Sequence, residues 1–470
     1  MPISIKDACN HVVGLDKEVP LLNGARRRYV NFDNAATTPP FVEVVNTVNE
    51  FLGWYSSVHR GTGYKSILST KLYEQCRQIV ADFVGADPDY HTVIFCHNTT
   101  DAINKLCQRH CLQTDEVILT TVMEHHSNLL PWRFCGKVDY VRINSSDGSL
   151  DLEHLKEKLV EYRGKVRLVA LTGASNITGF MPPLKEIAIL THEHGAKILV
   201  DGAQLLAHRA IVMGRGDAPE HIDFLAFSAH KMYAPFGCGV LIGPKECFQD
   251  GKPAIVGGGS VELVTLKDVI WAEVPEKEEA GTPNLIGALA LARAIQIFQE
   301  IGMENVAMHD RELTRKTLEL LKEIPGIRIF GASDPFLKRD RVGVIPILAD
   351  KYDHALLAAI LGYEWGIGVR HGCFCAHSYV SHLFELSEDD LEEYIKQIRT
   401  GDRSRLPGFV RISFGVYNTA EEIEYFSHAL REILAKGPQF PYRLDKREGE
   451  YIPEGLANHF SPDFLLAREK

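Results

Sequence analysis

Residues 197–231 read KILVDGAQLLAHRAIVMGRGDAPEHIDFLAFSAHK. Two short runs in this stretch, KILV (197–200) and DFLAFS (223–228), are apolar at nearly every position rather than at alternate ones. A strand with one wet face alternates, so continuous apolar runs of this length imply strands buried on both faces. The pattern repeats outward from here. TVIF (92–95), EVILTT (116–121) and RLVALT (167–172) precede it, and GVLIG (239–243) follows. Spacers of helical length separate the runs, which predicts an α/β domain built on a mostly parallel sheet with helices on both sides. One spacer, PPLKEIAILTHEHG (182–195), shows the helical grammar: prolines at its front, Leu184, Ile187, Ala188 and Leu190 at helical spacing, and Gly195 as the stop.

After AGTPN (280–284) the rhythm changes to a long apolar helix candidate, LIGALALARAIQIFQEIG, followed by mixed helices and short strands. A smaller C-terminal α+β domain is expected over 286–436, beside a large domain over 31–285. Residues 1–30 form an N-terminal segment expected to pack on the small domain. TAEE offers a capping box from Thr419 to Glu422 ahead of the stripe Ile423, Phe426, Leu430, Ile433 and Leu434. Residues 437–470 are rich in Pro, Gly and charge and read as an extended tail with aromatic anchors.

The 470 residues carry 51 Lys and Arg against 62 Asp and Glu, a net charge of −11, so no overall basic field exists to attract nucleic acid or anionic lipid. No apolar run approaches the ~18 residues that span a bilayer, and the opening MPISIKDACNHVVGLDKEVP lacks the apolar core of a signal peptide. A cytoplasmic protein with neither nucleic acid nor membrane as a partner is expected. Ten cysteines in this length are too dilute for a disulfide scaffold. Eight are scattered, whereas Cys373 and Cys375 sit together in VRHGCFCAHS.

Ligands of open parallel sheets bind beyond the carboxyl ends of the strands. Asp201 closes one apolar run and Lys231 follows another. That pair suits pyridoxal phosphate, the lysine forming the Schiff base and the carboxylate pairing with the pyridine nitrogen. A buried Asp and Lys making structural hydrogen bonds would read the same. Thr99 and Thr100 of NTTD precede the helical DAINKLCQR and could form either an anion site or a plain N-cap. His125 of EHHSN offers an imidazole to stack on a flat ring; no acid or cysteine lies at zinc spacing around it, and no metal site is assigned.

The set NFDNAATT, NTTDAIN, MEHHSNLLPW, SNITG, VDGAQ, FSAHKMYAPFGCGVL, AGTPN, VRHGCFCA and VRISFGVYNT resembles, in type and order, the class V aminotransferase-fold enzymes of PLP-dependent transferase fold type I. It is most similar to the SufS-type cysteine desulfurase and selenocysteine lyase group, over about residues 28–435. The resemblance implies Lys231 as Schiff-base lysine, Asp201 at the pyridine nitrogen, Gln204 at the phenolic oxygen and His125 stacked on the ring. It assigns Thr100, Thr99, Ser228 and His230 to the phosphate, with Thr282 reaching in from the second subunit of a homodimer. Asn176 is placed beside the ring, and Arg411 at the substrate's carboxylate with Arg370 nearby. His59 is placed on the rim, and GGGS (257–260) near the dimer-side wall.

The family's R-x-G-x-x-C loop aligns Arg370 and Gly372 so that Cys375 falls at the nucleophile position. Arg370, His371 and His377 are the local groups expected to lower its thiol pKa. The implied reaction converts L-cysteine to L-alanine, leaving a persulfide on Cys375 for a protein sulfur acceptor. Alternatives are selenocysteine lysis, elimination to pyruvate, an epimerase-like reaction, or a non-catalytic dimeric scaffold. Three departures from the group stand out. Cys373 and Phe374 replace two histidines, giving a GCFC similar to that of molybdenum cofactor sulfurases. The stretch between Cys375 and Arg411 is longer and holds acidic SEDDLEEYIKQIR with Ser387 as an N-cap, and the tail after 436 is an addition. Cys107 and Cys111 are read as core and surface positions, and His192 and His194 as favouring the negative pole of a helix end.

Overall fold

The computed structural model describes residues 3–109, 115–331 and 340–454. Cys111 and the last part of the tail lie outside the described residues. Seven strands form the principal sheet: β1 (His91–Cys96), β2 (Val117–Thr121), β3 (Lys137–Val141), β4 (Val166–Thr172), β5 (Lys197–Asp201), β6 (Phe224–Ser228) and β7 (Gly239–Pro244). Their spatial order is β1-β7-β6-β5-β4-β2-β3. The strands from β6 to β3 are parallel, and β7 runs antiparallel to both β1 and β6. The mostly parallel sheet expected from the apolar runs is present, with β7 as the reversed member. Strand β3, KVDYV, escaped the sequence reading because it is an edge strand with only Val141 fully buried.

The central strands are buried on both faces. Ile198, Leu199 and Val200 of β5 are wholly inaccessible, and each such side chain contributes about 1.5–3 kcal/mol on burial. That anchoring fixes where the strand ends, and therefore where Asp201 sits. Gly239 of β7 lies opposite both Cys96 and Ser228, so the carboxyl ends of β1, β6 and the parallel strands gather along one edge. The helix read from PPLKEIAILTHEHG spans Leu184–Glu193, and Gly195 takes the left-handed conformation just after it.

A second sheet of four antiparallel strands, β8 (Ile327–Ile329), β9 (Val344–Ala349), β10 (Arg370–Gly372) and β11 (Phe409–Ser413), runs in the order β8-β9-β11-β10. It shares an apolar core with helices His354–Trp365 and Ala420–Lys436. The latter begins with the expected capping box between Thr419 and Glu422. Ser387 likewise caps helix Glu388–Arg399, reciprocally with Asp390. Part of the tail, read as extended, forms a hairpin of Tyr442–Asp445 with Glu450–Pro453. No single helix among the described residues is long and apolar enough to cross a membrane.

Cys107 does not stand as an isolated thiol. Helices Thr99–Arg109 and Leu130–Cys135 bring it to a Cα–Cα distance of 6.0 Å from Cys135, and the two are disulfide-bonded. His194 donates to the carbonyl of Leu190 near its helix end, as a dipole argument predicts, but His192 bonds Asp223 at 2.9 Å and the Pro219 carbonyl at 2.8 Å. A buried carboxylate outbids the helix pole for that imidazole.

Candidate active site

Beyond the carboxyl ends of the strands lies a cavity of about 430 Å³. Asp201 and Lys231 both line it, joined there by Thr99, Thr100, His125, Asn176, Gln204, Ser228, His230, Arg370, Cys375 and Arg411. Every site residue expected from the sequence reaches this cavity except two. His59 lines a separate cavity of about 400 Å³ with Gly259, Glu273 and Glu276. Thr282 is solvent-exposed and lines another with Tyr73, Asp101 and Lys105.

Asp201 is the last residue of β5 and is buried. Burial raises its carboxyl pKa, opposed by the Ala203 N–H, which donates at 3.0 Å, and by the Lys231 charge. A carboxylate placed there favours a cationic partner. Lys231 ends the turn Ala229–Lys231 directly after β6. Burial lowers its pKa to about 8, with Arg411 and Arg370 acting in the same direction and Asp201 against it. Its amine is therefore partly neutral near physiological pH.

His125 is held by the turn that follows β2. Glu124 is buried and accepts from Thr121 Oγ1 at 2.6 Å, Asn128 Nδ2 at 2.7 Å and the Thr172 N–H at 3.0 Å. Nδ1 of His125 accepts from the Ser127 N–H at 3.1 Å, so the neutral ring carries its proton on Nε2. Burial pushes the His125 pKa down to about 4, with Lys231 adding to the effect, and the ring is neutral at pH 7.

The end of the cavity beside helix Thr99–Arg109 is lined by hydroxyls. Thr99 and Ser228 share a 2.6 Å contact, and Thr100 Oγ1 lies 2.7 Å from Ser127 Oγ, at the start of helix Thr99–Arg109. Such a helix start presents backbone N–H groups to an anion. Gly239 permits this approach, since a Cβ there would stand 2.4 Å from the Cα of Asn98.

Arg411 is buried, with Nη1 donating to the Asn176 carbonyl at 3.0 Å and Nη2 to Asp33 Oδ1 at 3.1 Å. Its Nε is buried without a partner. Burial lowers the guanidinium pKa to about 10 against the pull of Asp33. Arg370 Nε donates to the other oxygen of Asp33 at 3.1 Å. Asp33 thus aligns two arginines over the cavity. The sequence reading gave it no role, although it sits inside the quoted NFDNAATT.

Cys375 is exposed and occupies a four-residue turn, 373–376, closed by the Ala376 N–H donating to the Cys373 carbonyl at 3.0 Å. Phe374 and Cys375 both adopt left-handed backbone, at φ 53° and 55°, each costing about 1–2 kcal/mol for a residue with a Cβ. Offsetting contacts hold the turn. Asn176 Nδ2 donates to the Phe374 carbonyl at 2.8 Å, the His126 N–H donates to the Cys375 carbonyl at 2.7 Å, and the Arg411 guanidinium lies 4.5 Å over the Phe374 ring. The three groups expected beside the Cys375 thiol separate. Arg370 shares its cavity, but His371 stacks on His354 and His377 bonds the sulfur of Cys373.

These groups fit pyridoxal phosphate. A hydroxyl-lined helix start suits its phosphate, the buried Asp201 suits a protonated ring nitrogen, a neutral imidazole suits its flat face, and Lys231 suits its aldehyde. The unpartnered Nε of Arg411 suits a carboxylate arriving beside it.

The aminotransferase class-V family model matches residues 30–426. A probable cysteine desulfurase of Halalkalibacterium halodurans is 33% identical over 429 residues, 89% of this chain and 95% of that protein. A cysteine desulfurase of Haloferax volcanii is 32% identical over 419 residues, 86% of this chain and 90% of the other. Among solved structures, the apo cysteine desulfurase of Thermococcus onnurineus superposes with a TM-score of 0.76 at 32% identity, covering 87% of this chain and 95% of that one. With the match extending over most of the chain and the cavity furnished for its cofactor, the protein belongs to the class V aminotransferase family of pyridoxal-phosphate enzymes.

Proposed function

We propose that the protein is a cysteine desulfurase that moves the sulfur of L-cysteine onto Cys375 and releases L-alanine. The observation that carries this reading is the meeting of Lys231, Asp201, Arg411 and an exposed thiol, Cys375, in one cavity. Pyridoxal phosphate, when bound, supplies an electron sink for charge developing at the substrate's α-carbon. Thr100, Thr99, Ser228 and His230 would hold its phosphate end, Asp201 the ring nitrogen and Gln204 the phenolic oxygen, with His125 and Asn176 beside the ring. Arg411 takes the substrate carboxylate at Nε and Nη, with Asp33 fixing its plane. Lys231 Nζ removes the α-proton and returns it at a later step, a role its depressed pKa suits. The Cys375 thiolate attacks the substrate sulfur: an S–S bond forms, the C–S bond breaks with its electrons going to the β-carbon, and protonation there yields alanine.

Incubation of the holoenzyme with L-cysteine tests this. Alanine and a sulfur-bearing Cys375 peptide are expected, and C375S loses both while still binding the cofactor. Pyruvate and ammonia in place of alanine would identify an elimination and overturn the reading.

The working unit in this reading is a homodimer. Leu263, Val264, Leu266 and Ile270, in and between strands Val261–Val264 and Val269–Trp271, are all exposed, and apolar surface of this kind favours a partner subunit. Thr282 and His59 then serve the partner's cavity. The exposure of Cys375 suits delivery of its sulfur to a thiol-bearing acceptor protein.

A further inference from the structure

The described free cysteines other than Cys375 divide by what their sulfur touches. Cys9, Cys96 and Cys238 face backbone carbonyls. Cys373 alone among them faces an imidazole, with its Sγ 2.9 Å from Nε2 of His377. Hydrogen-bond logic fixes the proton on that ring. The His377 backbone N–H can only donate, and it points at Nε2 of His126 at 3.3 Å, so that nitrogen is an acceptor. Nδ1 of His377 lies 3.0 Å from the same nitrogen and must therefore carry a hydrogen. In the neutral ring this leaves Nε2 bare and turned toward the Cys373 thiol. Burial lowers the pKa of both imidazoles, which keeps them neutral at rest. The two rings stack at 4.9 Å, and His377 reaches solvent. Burial raises the Cys373 thiol pKa, so the resting pair is a neutral thiol beside a neutral imidazole, placed to take the proton as the sulfur reacts; this thiol stands two residues from the proposed nucleophile, across the same hydrogen-bonded turn.

On the desulfurase reading just given, we propose that Cys373 is a second sulfur-carrying residue, which takes the sulfane sulfur from Cys375 with His377 as its base. His377 Nε2 accepts the Cys373 thiol proton. The Cys373 sulfur attacks the outer sulfur of the Cys375 persulfide, one S–S bond forms as the other breaks, and Cys375 leaves as a thiolate that recovers the proton from His377. No outside oxidant or reductant is consumed. Cys375 is then free for a second L-cysteine, so one loop stores two sulfurs.

The test follows the holoenzyme through successive turnovers with L-cysteine, without acceptor or reductant, alkylating at intervals and mapping sulfane sulfur by peptide mass. Wild type should fill both positions, reaching two sulfurs per chain, C373S should stop at one on Cys375, and C375S should hold none. H377Q should slow the filling of Cys373 by at least about tenfold while the first filling of Cys375 keeps its rate; a merely structural role for His377 would move both together. Sulfur confined to Cys375 in wild type at all times would overturn the proposal. So would a Cys373–Cys375 disulfide accompanied by free sulfide. Inorganic tetrasulfide, as an alternative sulfur source, separates this from the function itself. If L-cysteine yields neither alanine nor bound sulfur, the desulfurase reading fails, while Cys373 labelled by tetrasulfide in wild type and not in C375S still supports the relay. Equal labelling of Cys373 in both proteins counts against it.

Discussion

Lys231 and Asp201 stand at the ends of two neighbouring parallel strands, and burial moves their pKa values toward each other, the amine down and the carboxyl up. Attachment of an aldehyde needs the neutral amine, and with the Lys231 pKa at about 8 that fraction grows about tenfold between pH 7 and pH 9. The rate at which the apo-protein gains its visible absorption band on adding the cofactor should rise in step over that range and flatten above it. A flat profile would show that Lys231 titrates elsewhere. Asp33 makes a second prediction at this scale. D33N frees Arg370 and Arg411 from their common carboxylate, and KM for the amino-acid substrate should rise about tenfold, the cost of roughly one charge-assisted bond, with the absorption band of the bound cofactor unchanged. Asp201 and Lys231 were legible because position after an apolar run says where a side chain points, whereas Ser228 at the phosphate came from the resemblance. Asp33, Ser127 and Glu124 act through partners distant in sequence or through local turn geometry, so nothing in their spacing marked them. Arg411 as a carboxylate ligand came from the resemblance alone, since a strand arginine by itself carries no such signal.

Among the elements, the start of helix Thr99–Arg109 and the first residue of β7 are coupled by contact. G239A would push a methyl group into the backbone of Asn98, and such overpacking costs about 1–3 kcal/mol. Cofactor affinity should fall about tenfold or more, measured by titration of the apo-protein, with circular dichroism unchanged; full affinity would show that the loop yields freely. The turn 373–376 is the other decisive element. Two left-handed residues with side chains are held there by Asn176, His126 and Arg411 from three different parts of the chain. The strands of the large sheet could be read from their apolar runs because burial on both faces leaves an unambiguous pattern. Strand β3 and the turn at 373–376 could not be read so: one is a half-wet edge, and the other adopts a conformation that its residues do not favour locally. The expectation that His371 and His377 both serve Cys375 failed for the same reason, since only the folded turn shows that His377 faces Cys373 instead.

On the scale of the whole molecule, one chain gathers most of the candidate site residues in one cavity but leaves Thr282 and His59 in others and an apolar hairpin in solvent. The proposed homodimer would account for all three, and L266D, at a fully exposed position of that hairpin, should shift the sedimentation coefficient toward monomer and weaken retention of the cofactor. A wild type that sediments as a monomer and still holds cofactor would contradict that account. The most direct measurement compares wild type and C375S incubated with L-cysteine, quantifying alanine and weighing the peptide that carries residue 375. Alanine in wild type together with sulfur added to the peptide that carries Cys375, and neither in C375S, is the predicted result; equal alanine from both proteins would contradict it.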